Sequence, residues 1–281
     1  MKAPVPSTEP FEIAPETFVI PNLAPGPPGA YVPVNTMVIR GAEPVIVDTG
    51  APIHREVWLD KVFSVVEPED VRWIFLSHDD GDHTGGLLDA LARCPNATLI
   101  GNFFLVERLG LEMELPLDRI RSVDHGESFD AGDRTLHLFR PPIFDGPTTR
   151  GLYDPTTSAM WIVDSFASMV TGEEGLQDAG AVPADLYEET FRAFNSMVSP
   201  WHQWLDPAAY RHHVDDVEAM GILTVASAHG GVHHGAAIHD AFERVRALAG
   251  APITPDPGQP ALDEMLAGML AASLVHSGSA S

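Results

Sequence analysis

The chain has 281 residues, 44% of them hydrophobic and 20% charged, and its 16 Lys+Arg against 40 Asp+Glu give a net charge of −24. Such a length allows a sizeable buried core, and such acidity disfavours both nucleic acid phosphates and anionic membrane surfaces as partners. The lone cysteine, Cys94, excludes an internal disulfide and a thiolate metal cage, and no apolar run reaches membrane-spanning length. Because Met1-Lys2-Ala3-Pro4-Val5-Pro6 lacks an apolar signal core, a cytoplasmic protein is the expectation.

Residues 1–33 are proline-rich (Pro21, Pro25, Pro27, Pro28, Pro33) and read as one strand, Thr17 to Ile20, with a long turn. Strands are expected at Asn35–Ile39 and at Pro44–Asp48, where Val-Ile-Val-Asp-Thr-Gly leaves Asp48 at a strand end. His54 to Val66 carries helical spacing, and the apolar run Trp73–Leu76 is a further strand. Thr84 to Arg93 reads as a helix whose end holds Cys94 half-buried. A strand at Ala97–Ile100 and a helix at Phe103–Leu109 follow, then a meander of short strands from Arg119 to Phe139. Ser158–Val163 is a strong strand ending at Asp164, and helices are expected at Asp185–Val198 and Pro207–Met220. A last strand, Ile222–Ser227, runs into Ala228-His229-Gly230-Gly231, followed by a helix from Ala236 to Ala249. A proline-rich hinge, Pro252–Pro260, precedes a C-terminal apolar helix, so that residues 251–281 read as an extension of one domain.

Four strands thus end in Asp or His, at Asp48, His78, Asp164 and His229. Convergent strand ends are where α/β proteins assemble their sites. The densest signal is His78-Asp79-Asp80-Gly81-Asp82-His83, which follows Trp73–Ser77 directly. Adjacent carboxylates repel, and burying them costs several kcal/mol unless a cation compensates. The hexapeptide therefore reads as half of a two-metal site. His78, Asp80 and Asp82 alternate and can project to one side of an extended turn. A carboxylate can bridge ions roughly 3.5 Å apart, and Asp164 is the natural bridge. His229 suits a terminal ligand, and Asp145 lies in the proline-clamped loop Pro141–Pro147, either as a ligand or as a surface turn residue. His83 is either a ligand or a proton donor beside the metals, and Asp48 orients a ligand or the hexapeptide backbone. Asp79 is expected to face solvent or cap the turn. His137, His212 and His213 read as surface residues, His233 and His234 as a solvated loop of which one could line the pocket, and Trp201–Trp204 as a lid or a core-packing loop. No P-loop, G-x-G-x-x-G, G-x-S-x-G or Cys-x-x-Cys motif occurs.

The hexapeptide with Thr84-Gly85-Gly86, Val47-Asp48-Thr49-Gly50, Asp164 and His229 resembles the metallo-β-lactamase fold superfamily. The superfamily's second His is here Asp80, and a carboxylate at that place is similar to the flavodiiron and stand-alone oxygen-binding diiron branch. The intervals from Asp82 to Asp145, Asp164 and His229 match that branch's spacing, as do Val163-Asp164-Ser165-Phe166 and Ala226–Gly230. Asp145 departs from it, standing where the branch has a His. The resemblance implies an α/β fold, an αββα sandwich of two mixed β-sheets with outer helices. It also implies a dinuclear centre: His78, Asp80 and Asp145 on one ion, Asp82, His229 and His83 on the other, and Asp164 between. Four carboxylates cancel two divalent ions, so bound water is acidified less than in a hydrolase, and the hard donors favour iron or manganese over zinc. The expected function is binding or reduction of O2 or NO, and the alternative is a metallo-hydrolase acting on an ester, lactone, thioester or phosphodiester. A third reading is an oxygen sensor without turnover. The sequence runs only to Ser281 after His229, so no flavin domain is expected and electrons would come from a separate donor protein. Homo-oligomerisation is left open.

Overall fold

The computed structural model describes residues 8–255 and 257–278, so the Met1–Pro6 reading lies outside it, as does Asp256 within the expected hinge. Fifteen strands and nine α-helices are found among the described residues. The first sheet is ordered β1 (Phe11–Ala14), β2 (Thr17–Ile20), β5 (Thr36–Ile39), β6 (Val45–Val47), β7 (Trp73–Phe75), β8 (Thr98–Gly101), β9 (Ile120–Ser122). Its first four strands are antiparallel, and β6 through β9 are parallel. The second sheet is ordered β10 (Ser128–Asp130), β11 (Thr135–Phe139), β12 (Gly151–Asp154), β13 (Ala159–Trp161), β14 (Thr224–Ala226), β15 (His233–His234). Only β13 and β14 run parallel there. A separate ribbon pairs β3 (Leu23–Pro25) with β4 (Tyr31–Pro33).

Side-chain alternation explains how the sheets stack. In β6, Val45 and Val47 face inward and Ile46 outward; in β13, Trp161 faces inward and Met160 outward. Met37, Val45, Val47, Phe75 and Ile100 of the first sheet meet Phe129, Leu136, Leu138, Leu152 and Trp161 of the second in one inter-sheet core. Each fully buried apolar side chain there contributes about 1.5–3 kcal/mol.

The outer face of the first sheet is covered by α1 (Arg55–Val65), α3 (Leu87–Arg93) and α4 (Phe103–Glu112), through Trp58, Val62, Leu91 and Leu105. The outer face of the second carries α6 (Ala184–Val198), α7 (Pro207–Glu218) and α8 (Ala236–Arg246), through Phe191, Val214 and Phe242. This is the expected αββα sandwich. Two short helices, α2 (Gly81–Thr84) and α5 (Glu173–Gln177), lie beside the strand ends, and α9 (Gln259–Gly278) closes the chain with Leu262, Met265 and Leu266 exposed. Among the described residues, no helix is long and apolar enough to cross a membrane.

Several sequence expectations are corrected. The Arg119–Phe139 stretch is not a meander: β9 extends the first sheet beside β8, and the chain then crosses over to start the second sheet at β10. Ile120 packs on the outer core and Phe129 in the inter-sheet core, a distinction that three-residue strands do not show in sequence. The Thr84–Arg93 helix is interrupted at Gly85–Gly86. A Cβ on Gly85 would lie 2.3 Å from the Pro52 nitrogen, and one on Gly86 2.7 Å from the Trp58 ring. The chain must pass that closely because Gly85 and Gly86 donate to the carbonyls of Gly50 and Thr49. Gly81–Thr84 is accordingly a helical turn of its own, not the extended turn that alternation had implied. Cys94 is fully buried, and burial pushes its thiol up to about 12.

Candidate metal centre

The parallel strands β6, β7, β8, β13 and β14 deliver their C-terminal ends to one edge of the sandwich. Asp48 follows β6, the hexapeptide follows β7, Asp164 follows β13 and His229 follows β14. All seven expected ligands meet there. His78, Asp80 and Asp145 form one group whose donor atoms lie within 4.8 Å of one another, and Asp82, His83 and His229 form a second. Asp164 stands between the two. Its Oδ2 is 3.3 Å from His78 Nε2, while its Oδ1 is 3.2 Å from His83 Nε2 and 3.3 Å from His229 Nε2.

Each imidazole is held by its far nitrogen so that Nε2 points inward. His83 Nδ1 donates to Asp48 Oδ2 at 3.0 Å, and His229 Nδ1 donates to the Pro33 carbonyl at 2.8 Å. His78 Nδ1 lies 3.1 Å from Ser77 Oγ, a hydroxyl that donates to Asp48 and so is free to accept. Such outer partners fix tautomer and orientation in metal-binding histidines. Asp48 is the hub: completely buried, it accepts from the Ser77 backbone and hydroxyl, from His83 and, across the sheets, from Trp161 Nε1 at 3.0 Å.

The backbone is strained where Asp164 is delivered. Val163, a β-branched residue, has φ +60°, in the left-handed region such residues avoid. The Val163 carbonyl is gripped by Ala228 N and Ser227 Oγ, and Asn195 Oδ1 receives the Phe166 amide.

Electrostatics shows a cluster balanced by protons where it could be balanced by cations. Burial opposes charge on His83, yet Asp48 and Asp164 raise its basicity well above the ordinary value. Despite burial, the Asp164 and Asp82 carboxylates, 3.3 and 3.2 Å from its Nε2, raise His229 to about 10. Burial would raise Asp164, but His78 and His83 hold it well below the carboxylate range. Asp82 is likewise held low against burial, chiefly by His229 and His83. Asp80 goes the other way: burial and the facing Asp145 carboxylate outweigh His78 and push it up to about 6. Two buried atoms, His83 Nε2 and Asp164 Oδ1, have no hydrogen-bond partner despite facing the centre. Orphaned atoms with opposed carboxylates and three preset Nε2 donors fit a pair of metal ions.

The loop bearing Asp145 is pinned by contacts the sequence reading missed. Asp79 does not face solvent: it accepts from Thr148 Oγ1 at 2.5 Å and from Arg108 at 3.0 Å. Asn102 caps α4 by accepting from Leu105 N, and its Nδ2 donates to the Thr148 carbonyl. An Asn directly before the apolar helix Phe103–Leu109 is a capping signal that could have located this contact. The Trp201–Trp204 segment is a clamp, not a lid. Trp201 stacks on Phe144 at 4.7 Å and donates to its carbonyl, holding the residue before Asp145, while Trp204 is exposed. His233 is also corrected: it is buried, hydrogen-bonded to Tyr187 at 2.8 Å, and burial lowers it to about 4. His137 and His212 are exposed as expected.

A family model described as ODP family beta lactamase matches residues 32–230. The chain belongs to this family. The match runs from β4 to the loop of His229, and so contains every strand end that supplies the candidate centre. Among similar sequences, diflavin flavoprotein A 1 of Synechocystis sp. is 26% identical over 47% of this chain and 23% of its own length. The anaerobic nitric oxide reductase flavorubredoxin of Pectobacterium atrosepticum is 22% identical over 70% of this chain and 38% of its own. The chain thus spans well under half the length of these two relatives. Among solved structures, the flavodiiron protein of Giardia intestinalis superposes with a TM-score of 0.73 at 18% identity, covering 88% of this chain and 60% of that one. The rubredoxin oxygen:oxidoreductase of Desulfovibrio gigas gives 0.72 at 14% identity, covering 85% and 61%. At such identities these structures establish that the ODP-family chain shares their fold.

Proposed function

We propose that this chain houses a dinuclear metal centre, preferentially of iron, that binds and reduces a small oxidant, O2 or NO. The observation that carries the reading is the placement of Asp164, whose two oxygens face two separate groups of donors, His78–Asp80–Asp145 and Asp82–His83–His229. The names of the similar nitric oxide reductase and oxygen oxidoreductase support the choice of oxidant. Bound iron would pass electrons from the donor to the oxidant and offer open coordination positions for a diatomic ligand.

The chain's own residues prepare that site. Asp48, Ser77 and Pro33 hold three imidazoles with Nε2 inward, and the buried faces of His78, His83 and Asp164 keep bulk water from the inner side. On the outer side Asp80 and Asp145 are exposed, leaving a path for a small ligand. Electrons are supplied by a separate donor protein, for which a surface of net charge −24 favours a basic partner. The test is anaerobic reconstitution with iron(II), metal analysis, and consumption of O2 or NO under a chemical reductant. Two irons per chain with oxidant consumption above that of free iron is the expected result. Fewer than two bound ions, or two ions without any oxidant binding, overturns the proposal.

A further inference from the structure

We propose that the two metal positions are chemically unequal: the inner one selects a borderline-soft ion such as iron(II) or zinc(II), while the outer one discriminates little and accepts a hard ion such as manganese(II) as well as iron(II). The inference rests on the dinuclear reading above and deepens it. It comes from how the donors divide about Asp164. On the inner side stand two imidazoles, His83 and His229, with Asp82 and Asp164 Oδ1. On the outer side stands one imidazole, His78, with Asp80, Asp145 and Asp164 Oδ2.

Imidazole nitrogen discriminates strongly among first-row ions, binding iron(II) and zinc(II) well above manganese(II), whereas carboxylate oxygen suits hard ions and discriminates little. Exposure sharpens the contrast. On the inner side His83 is 1% exposed and the side chains of His229 and Asp82 are 16% and 38% exposed; on the outer side His78 is buried at 2%, but Asp80's side chain is 56% exposed and Asp145 is exposed as well. An ion on the outer side therefore keeps water ligands, as hard ions do. The inner side also holds the two buried atoms without partners, His83 Nε2 and Asp164 Oδ1, so filling it relieves the larger desolvation penalty. Inner occupancy by a borderline-soft ion should accordingly precede outer occupancy.

Calorimetric titration of the metal-free full chain with zinc(II), and separately with manganese(II), tests this, with elemental analysis for stoichiometry and electron paramagnetic resonance for manganese. Zinc should enter in two steps at least about tenfold apart in affinity. A chain preloaded with one equivalent of zinc should take up one equivalent of manganese without losing the zinc. Asp145→His, an exposed position, should draw the two zinc steps together, while Asp145→Asn should leave them apart; circular dichroism melts check that both variants fold. Two zinc steps of equal affinity, or release of the first zinc by manganese, would overturn the inequality and leave the dinuclear reading intact. Uptake of no ion, or of only one equivalent of zinc(II), would overturn both.

Discussion

Asp164 is the residue on which the centre turns. Removing its carboxylate takes away the one group shared by both donor sets and leaves His78, His83 and His229 facing an empty cleft. Asp164→Ala should therefore lose both ions, whereas Asp145→Ala should lose or weaken only the outer one; elemental analysis after desalting separates these results. Equal loss in the two variants would contradict the division. His233 makes a different prediction. Its folded-state value of about 4 lies below the ordinary 6.5, so the unfolded chain takes up the proton first as pH falls. The stabilisation is complete above about pH 6.5 and lost between about 6.5 and 4, amounting to about 3 kcal/mol at most. Urea melts of the native chain and of His233→Gln, in the same metal state, should diverge over that window; parallel curves would show that His233 does not titrate as the structure implies. The two kinds of residue were not equally legible. Asp48, His78, Asp164 and His229 stand out because a polar residue ending an apolar strand is an anomaly in any sequence. The burial of His233 depends on Tyr187, which lies on α6 and 46 residues away, and no local pattern records it.

At the scale of elements, three separate segments are tied into one frame. Asp79 from the loop after β7, Thr148 from the loop after β11, and Asn102 and Arg108 of α4 and its cap close a ring of hydrogen bonds. Without it, Asp145 would have little reason to stay against Asp80, a carboxylate it repels. Thr148→Val keeps the buried volume and removes only the hydroxyl, so outer-ion affinity should fall about 10–100-fold with little change in melting temperature. Thr148→Ser should recover most of the loss, and calorimetric titration with manganese(II) of both variants is the check; unchanged affinity in the valine variant would deny the ring its role. The strands around the site were readable from apolar runs bounded by turn residues. β1, β12 and the β3–β4 ribbon were not, because strands of three or four residues are defined by their partners more than by their own composition. The break at Gly85–Gly86 also escaped periodicity, since it is imposed by Pro52 and Trp58 across the turn.

Over the whole molecule, the sandwich was anticipated through family resemblance, and the sheet membership of β9 shows why pattern alone falls short: nothing in Ile120-Arg121-Ser122 says which sheet it joins. Charge operates at this scale as well. With 40 acidic against 16 basic residues the folded chain repels itself, and mobile ions shorten the reach of that repulsion to about 8 Å at 0.15 M. The melting temperature should accordingly rise as sodium chloride increases from a few millimolar to about 0.15 M; a flat or falling profile by scanning calorimetry would mean that paired charges dominate instead. The distribution of the donors has one more consequence. His78, Asp80, Asp82 and His83 hang from one sheet, and Asp145, Asp164 and His229 from the other, so any ion bound between them is a clasp across the open end of the sandwich. Stripping that clasp should let the two leaves part at this end first, and protease nicks or rapid amide exchange would begin in the loops after β7 and β13 while the far end stays shut.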